Sequence, residues 1–266
     1  MRVDDLVLDE HQLLRLSGAR FSRTAQYSEV SSTNTLALEE ARRGAPEGLV
    51  VVADHQTAGR GRFDRRWEAP PSSSLLFSVL ARPGEAGLPA DRRHLAVAAL
   101  SLAIAQAAAH LVLKWPNDLL VAAGPLAGRK AAGILAEGGP DDALVIGAGV
   151  NVHWAPEGAA SLDEVARSRY DRGELLVSTL VAFSDLYGDW EEVARRYRRA
   201  CSTLGREVAV SFAGGEPELR GTAVGVDELG RLLVRPRGEP SAERRVVAVA
   251  AGDVRHAAIA PTPRVQ

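Results

Sequence analysis

Two lysines, three asparagines, one cysteine and one methionine are all that 266 residues contain of those four types. The single cysteine, Cys201, excludes an internal disulfide, and its isolated position after a helical stretch suits packing better than nucleophilic chemistry. The opening MRVDDLVLDE has neither a positively charged start nor an apolar core, so no secretory signal is expected and the cytoplasm is the default location. No uninterrupted apolar run is long enough to span a membrane; LAVAALSLAIAQAAAHLVL (95–113) contains Ser, Gln and His and reads as a buried helix running into a strand. An excess of positive charge is also missing. Lys and Arg number 32 against 34 Asp and Glu, a net charge of -2, which argues against binding nucleic acid over a broad surface and confines any basic site to a local patch. The histidines His11, His55, His94, His110, His153 and His256 lack the paired spacing of zinc ligands, so no metal cage is expected.

What is present is a hydrophobic fraction of 46%, enough for a sizeable core, on a chain longer than the roughly 100 to 200 residues of one ordinary domain. One large domain and one small one are expected. Lys114 and Lys130 are the only lysines among 32 basic residues, and Asn34, Asn117 and Asn151 the only asparagines. Abundant Ala, Arg, Gly and Val with scarce Lys and Asn fits pressure toward GC-rich codons. Arginine can carry surface charge almost anywhere, but its planar fork cannot replace a compact ammonium that must meet one oxygen. The surviving lysines and asparagines are therefore candidate functional residues.

The pattern of caps, apolar runs and breakers predicts a short helix around Asp9 to Leu16 and a helix from Ser31 to Gly44, with Ser32 or Thr33 as N-cap. Strands are predicted at 49–53, 75–81, 111–114, 130–137 and 143–149, with a loop from His55 to Trp67 and a turn at Gly124–Pro125. Helices are predicted at 89–110 and 174–200; the alternating charges of WEEVARRYRRA mark a solvated face. Short strands with glycine turns near 214–215, 225 and 230 follow Leu204–Gly205. This composition shift divides the chain into residues 1–204 and 205–266.

Four motifs carry chemistry. In QTAGRGRFDRRW (56–67), Gly59 and Gly61 permit close backbone approach and Arg60, Arg62, Arg65 and Arg66 supply guanidinium groups suited to phosphate or carboxylate. Trp67 is either a flat ligand-facing surface or a core anchor. In KWPND (114–118), Pro116 forces a turn that brings Asn117 and Asp118 beside Lys114. GRKAAGILAE (128–137) opens a strand with Lys130 and sets Gly133 three residues on, where a ligand or another backbone comes close. SSTN (31–34) and GAGVN (147–151) place Asn34 and Asn151 where regular elements meet loops. His153–Trp154 beyond Asn151 suits core packing or stacking on a base.

These motifs, in this order, resemble the biotin protein ligases strongly over about residues 28–154, and the tail from 205 is similar to that family's small barrel. The resemblance implies an α+β fold, a mixed sheet with helices related to the lipoate ligases and class II synthetases, plus a C-terminal SH3-like β-barrel. It implies ATP and biotin as substrates, with Mg2+ shared with the phosphates, and a biotin carboxyl carrier domain as acceptor partner. It places Ser32, Thr33, Asn34, Gln56, Gly59, Arg60, Gly61, Arg62, Trp67, Lys130 and Gly133 on biotin, with Trp67 along the acyl chain. Arg62, Arg65, Lys114, Asn117 and Asn151 fall on the nucleotide, and Lys130, Arg60, Arg62, Lys114 and Asp118 on the reacting groups. Asp118 reads as a general base, an amine-orienting group or a turn cap. The family often has a small or basic pair where this chain has Phe63–Asp64.

Only 30 residues precede Ser31, too few for the helix-turn-helix domain that some members carry, so a ligase without that domain is expected. A lipoate or related acyl-carrier ligase is the alternative on the same fold. A nucleic-acid-binding module using GRGR and the barrel fits the net charge less well.

Overall fold

The computed structural model describes residues 6–212, 216–237, 246–250 and 252–256. The chain forms two compact units, Met1–Ala200 and Cys201–Gln266, dividing four residues before the composition shift.

The first unit begins with α1 (Glu10–Leu16), whose N-cap Asp9 and Gln12 form a reciprocal capping box. It continues through β1 (Arg23–Val30), α2 (Thr33–Arg42), β2 (Leu49–Gln56), β3 (Ser74–Ala81), a 3-10 turn at Ala90–Arg92 and α3 (His94–Ala107). Next come β4 (Leu111–Lys114), β5 (Asp118–Val121), β6 (Lys130–Gly138), β7 (Leu144–Asn151), α4 (Leu162–Ala166), α5 (Arg172–Leu186) and α6 (Trp190–Ala200). Seven strands make one sheet in the order β1-β2-β3-β7-β6-β5-β4. β1 and β2 are parallel and the remaining pairs antiparallel, which gives the expected mixed sheet with helices.

Every residue of β3 and β7 is buried, because these strands lie at the sheet centre; hence their near-continuous apolar sequence. On one face α2 sets Ala37, Leu38 and Ala41 against Val51, Leu80 and Val145. Side chains along a strand alternate, so Gly147, Gly149 and Asn151 follow Val145 on that same face. The first turn of the helix reaches Gly147, where Asn34 fills the space that a Cβ would need.

Four expectations need correction. The helix read at 174–200 is two: Tyr187 is extended, Gly188 takes φ 109°, and the Asp189 side chain caps α6 by accepting from the Glu192 amide. Phe21, Phe183, Tyr187 and Trp190 pack around this break, and burial, then Glu47, raises the Tyr187 hydroxyl far above its ordinary pKa. The helix read at 89–110 is a 3-10 turn followed by α3. The loop read from His55 begins two residues later, since His55 and Gln56 complete β2. β1 and β5 were not anticipated: β1 is a largely exposed edge strand without an apolar run, and β5 is four residues long.

The second unit holds β8 (Glu207–Ser211), β9 (Leu219–Val226), β10 (Leu232–Pro236), β11 (Val247–Val249) and β12 (Asp253–His256). They form an all-antiparallel, SH3-like sheet in the order β11-β10-β9-β8-β12 around Val208, Val210, Ala223, Leu232, Val234 and Val254. Gly230 turns the chain at φ 77°, whereas Gly225 lies within β9, and 214–215 fall outside the described residues. Cys201 is buried, as packing requires. Among the described residues no helix is long and apolar enough to cross a membrane.

Candidate active site

The cleft is floored by glycine. Gly133 on β6 pairs with Gly149 on β7, and Gly133 also pairs with Asp118 on β5. Trp67 lies over this floor: a Cβ on Gly149 would overlap its indole ring, and one on Gly133 would stand 3.1 Å from Cζ3. The aromatic slab needs both positions empty. Its indole N–H is buried and has no hydrogen-bond partner among the described residues.

Residues 59–67 fold back on themselves. The Gly61 amide donates to the Arg65 carbonyl (2.7 Å), and the Trp67 amide to the Gly59 carbonyl (3.0 Å). A Cβ on Gly59 would strike the Trp67 carbonyl, so this glycine is needed for the chain's own close approach. Arg65 closes the turn through its amide, which donates to the Arg62 carbonyl at 3.3 Å.

Arg60 and Arg62 point to different ends of the cleft. Arg60 Nη2 donates to Glu137 Oε2 at 2.7 Å and to Thr35 Oγ1 at 3.4 Å. Arg62 Nη1 donates to Asn117 Oδ1 at 3.1 Å, and its guanidinium lies 4.8 Å from the centre of the Phe63 ring. Asn117 itself is fixed by donating Nδ2 to the Ile134 carbonyl at 2.7 Å.

At the far side Asp118 joins both lysines. Lys130 Nζ is 2.6 Å from Oδ1 and Lys114 Nζ 3.4 Å from Oδ2. Asp118 is thus an ion-pair partner in a strand and not the turn cap considered from sequence. Lys130 also stands 5.7 Å over the Trp67 ring. Asn151 is 3% exposed and donates Nδ2 to the carbonyls of Lys130 (3.4 Å) and Ala160 (3.3 Å), so its amide group holds the backbone from which Lys130 projects. His153 pairs with Asp163 at 2.8 Å, while Trp154 is 36% exposed.

The other wall is the start of α2. Ser32 is its buried N-cap and makes no side-chain cap bond; Gln56 Oε1 accepts from the Thr33 amide (2.7 Å) and hydroxyl (3.1 Å). Asn34 Nδ2 donates to Glu137 Oε2 (2.7 Å) and the Leu135 carbonyl (3.1 Å), and Ser78 Oγ lies within hydrogen-bond reach of both Thr33 Oγ1 and Asn34 Oδ1. Gly147 is small because Asn34 fills the space above it.

Two residues of this network carried no assignment from sequence. Ser78 is fully buried within LLFSVLA, and a lone hydroxyl in such a strand needs a polar partner, which was a usable signal. Glu137 ends the KAAGILAE run and accepts from both Arg60 and Asn34, tying the loop to α2. Glu137→Ala should raise hydrogen exchange at the Gly61 and Trp67 amides about fivefold, since a partly exposed charge-assisted bond is worth ~1 kcal/mol. Unchanged protection would show that the tie does not hold the loop.

Family comparisons fit this arrangement. The model of the biotin/lipoate A/B protein ligase family matches residues 27–151, and that of the biotin protein ligase C terminal domain matches residues 203–256. A biotin–[acetyl-CoA-carboxylase] ligase of Mycobacterium tuberculosis is 34% identical over 94% of this chain and 96% of its own. A ligase of the same name from Paracoccus denitrificans is 33% identical over 81% of this chain and 97% of its own. The structure of a biotin protein ligase from Aquifex aeolicus in complex with biotin and ATP superposes with a TM-score of 0.72, at 27% identity, over 89% of this chain and 100% of the other.

Proposed function

Since the chain belongs to the biotin protein ligase family, we propose that this cleft joins biotin to AMP and then passes the biotinyl group to a lysine of a biotin carboxyl carrier domain. The observation that carries this reading is the placement of Lys130 and Lys114 on one carboxylate, beside Arg62 and Asn117, at the mouth of a glycine-floored slot walled by Trp67.

In the first step a biotin carboxylate oxygen attacks the α-phosphorus of ATP, an O–P bond forms, and pyrophosphate leaves. Two anions meet and charge builds in the transition state, so fixed cations must offset the repulsion. Lys130 is assigned to the carboxylate and α-phosphate, and Lys114 and Arg62 to the nucleotide phosphates. Asn117 fixes Arg62 by accepting from its guanidinium, and Asn151 holds the backbone from which Lys130 projects; Arg65 serves the nucleotide from the loop. Ser32, Thr33, Asn34 and Gln56 present the polar end wall to the biotin ring, and Arg60 with Gly59 and Gly61 closes the loop over the acyl group. The acyl chain runs along Trp67 above Gly133. A buried donor without an acceptor is costly, which suits an indole that repacks as the slot fills.

In the second step the neutral amine of the acceptor lysine attacks the acyl carbon, a C–N bond forms, the bond to the phosphate oxygen breaks, and AMP departs with the displaced electron pair. Asp118 is assigned as a positioning residue that aims two ammonium groups, and the amine's proton passes to solvent or to Asp118 once substrate phosphate has drawn Lys130 away. Mg2+ is a hard, strongly hydrated ion that needs oxygen ligands. Among the described residues no group of three His, Cys, Asp or Glu could hold one, and Asp118 already faces two lysines. The ion would therefore enter with the ATP phosphates. Dependence on ATP and a carboxylase acceptor puts the reaction in the cytoplasm.

The test is to incubate the protein with biotin and ATP labelled in the α-phosphate, without acceptor, and isolate the bound small molecules. A labelled biotinyl-adenylate is expected. Its absence, or equal labelling with lipoate, would overturn the assignment of substrate.

A further inference from the structure

The tip of the 59–67 loop is made of two consecutive residues in the left-handed region, Phe63 at φ 54° and Asp64 at φ 57°. Turns with this shape favour Asn-Gly, because a β-carbon is crowded there, and a bulky aromatic is a real outlier. Burial does not repay the strain: Phe63 is 42% exposed. What the ring does touch is the Arg62 guanidinium, 4.8 Å from its centre, while the same guanidinium donates to Asn117 at 3.1 Å. Strain kept at such a position is a pointer to function when the strained residue has a specific contact.

We propose that Phe63 is a positioning residue for Arg62: its ring backs the guanidinium, which Asn117 holds from the cleft side, so that the arginine stays aimed at the phosphate of the bound adenylate. The proposal rests on the assignment of Arg62 to the nucleotide phosphate made above. It also gives the strained Phe63–Asp64 tip a consequence: this loop retains its intermediate through an aromatic backing where a small residue would leave the arginine freer to swing.

The experiment uses three variants of the full-length enzyme: Phe63→Asn, Phe63→Trp and Arg62→Gly. Each is loaded with labelled biotinyl-adenylate, then chased with unlabelled biotin and ATP, and its melting temperature is measured. Asn tolerates the left-handed region but has no ring, so Phe63→Asn should melt at or above the wild-type temperature and yet release the adenylate about two- to fivefold faster, the scale of an exposed cation–π contact. Phe63→Trp, which keeps a ring, should release it at the wild-type rate. A merely structural role predicts that stability and retention fall together. Wild-type release from Phe63→Asn, or release from Phe63→Trp as fast as from Phe63→Asn, would overturn the proposal while leaving the role of Arg62 intact if Arg62→Gly leaks. Wild-type release from Arg62→Gly would instead overturn the assignment of Arg62 and the proposal with it.

Discussion

Lys130→Ala is expected to slow biotin-dependent ATP–pyrophosphate exchange by about 10²- to 10³-fold, the usual loss when one fixed group that stabilises transition-state charge is removed. The side chain is partly exposed and packs into no core; its contacts are Asp118 Oδ1 at 2.6 Å and the face of Trp67. Folding should therefore survive, and an unchanged thermal transition is part of the prediction. Lys130→Arg should also be poor. A guanidinium is larger than an ammonium, and the space beside Lys130 is already narrow: a Cβ on Gly133 would stand 3.0 Å from its Nζ. The alanine variant also leaves Asp118 with Lys114 alone, at 3.4 Å. Lys114 is then expected to draw closer to the carboxylate and away from the phosphates, which compounds the defect. Normal exchange in both variants would remove Lys130 from the mechanism.

Arg62→Gly is expected to leave the intermediate formed but poorly kept. Biotinyl-adenylate is a mixed anhydride open to water and stray amines until the acceptor docks. A charge-assisted contact to its phosphate, worth about 1.5 to 3 kcal/mol, slows escape by about tenfold to a hundredfold. The substitution deletes that contact, frees Asn117 Oδ1 and places a third glycine within four residues of the loop. Incubated with biotin, ATP and serum albumin, the variant should label albumin at least tenfold more than wild type on a biotin blot. Equal labelling, with transfer to the carrier domain unchanged, would mean that Arg62 does not retain the adenylate.

Much of this site was legible because composition made it so. In a chain with 2 lysines and 3 asparagines, Lys114, Lys130, Asn34, Asn117 and Asn151 each stand out, and the fold brings all five to the edges of one glycine-floored cleft. The central strands were legible for the same physical reason that makes them central: burial on both faces writes continuous apolar runs. β1 was not, because an edge strand exposed along most of its length carries no such run, and the break between α5 and α6 hides in LYGDW, where one glycine and one aspartate do the work. Sequence also could not reveal which partners the polar residues choose. The Trp67 carbonyl packed against Gly59 leaves no mark in the sequence, and Glu137 becomes meaningful only when the chain folds to bring it to Arg60, 77 positions away. Asn151 shows the same limit: its position was readable, its engagement with the carbonyls of Lys130 and Ala160 was not.

Biotin-dependent exchange of labelled pyrophosphate into ATP by the wild-type protein tests the central claim most directly, because it reports the first chemical step without any acceptor. Exchange that is absent without biotin, appears on adding biotin and does not appear with lipoate is the predicted result; exchange that ignores biotin, or that lipoate supports equally, would contradict it.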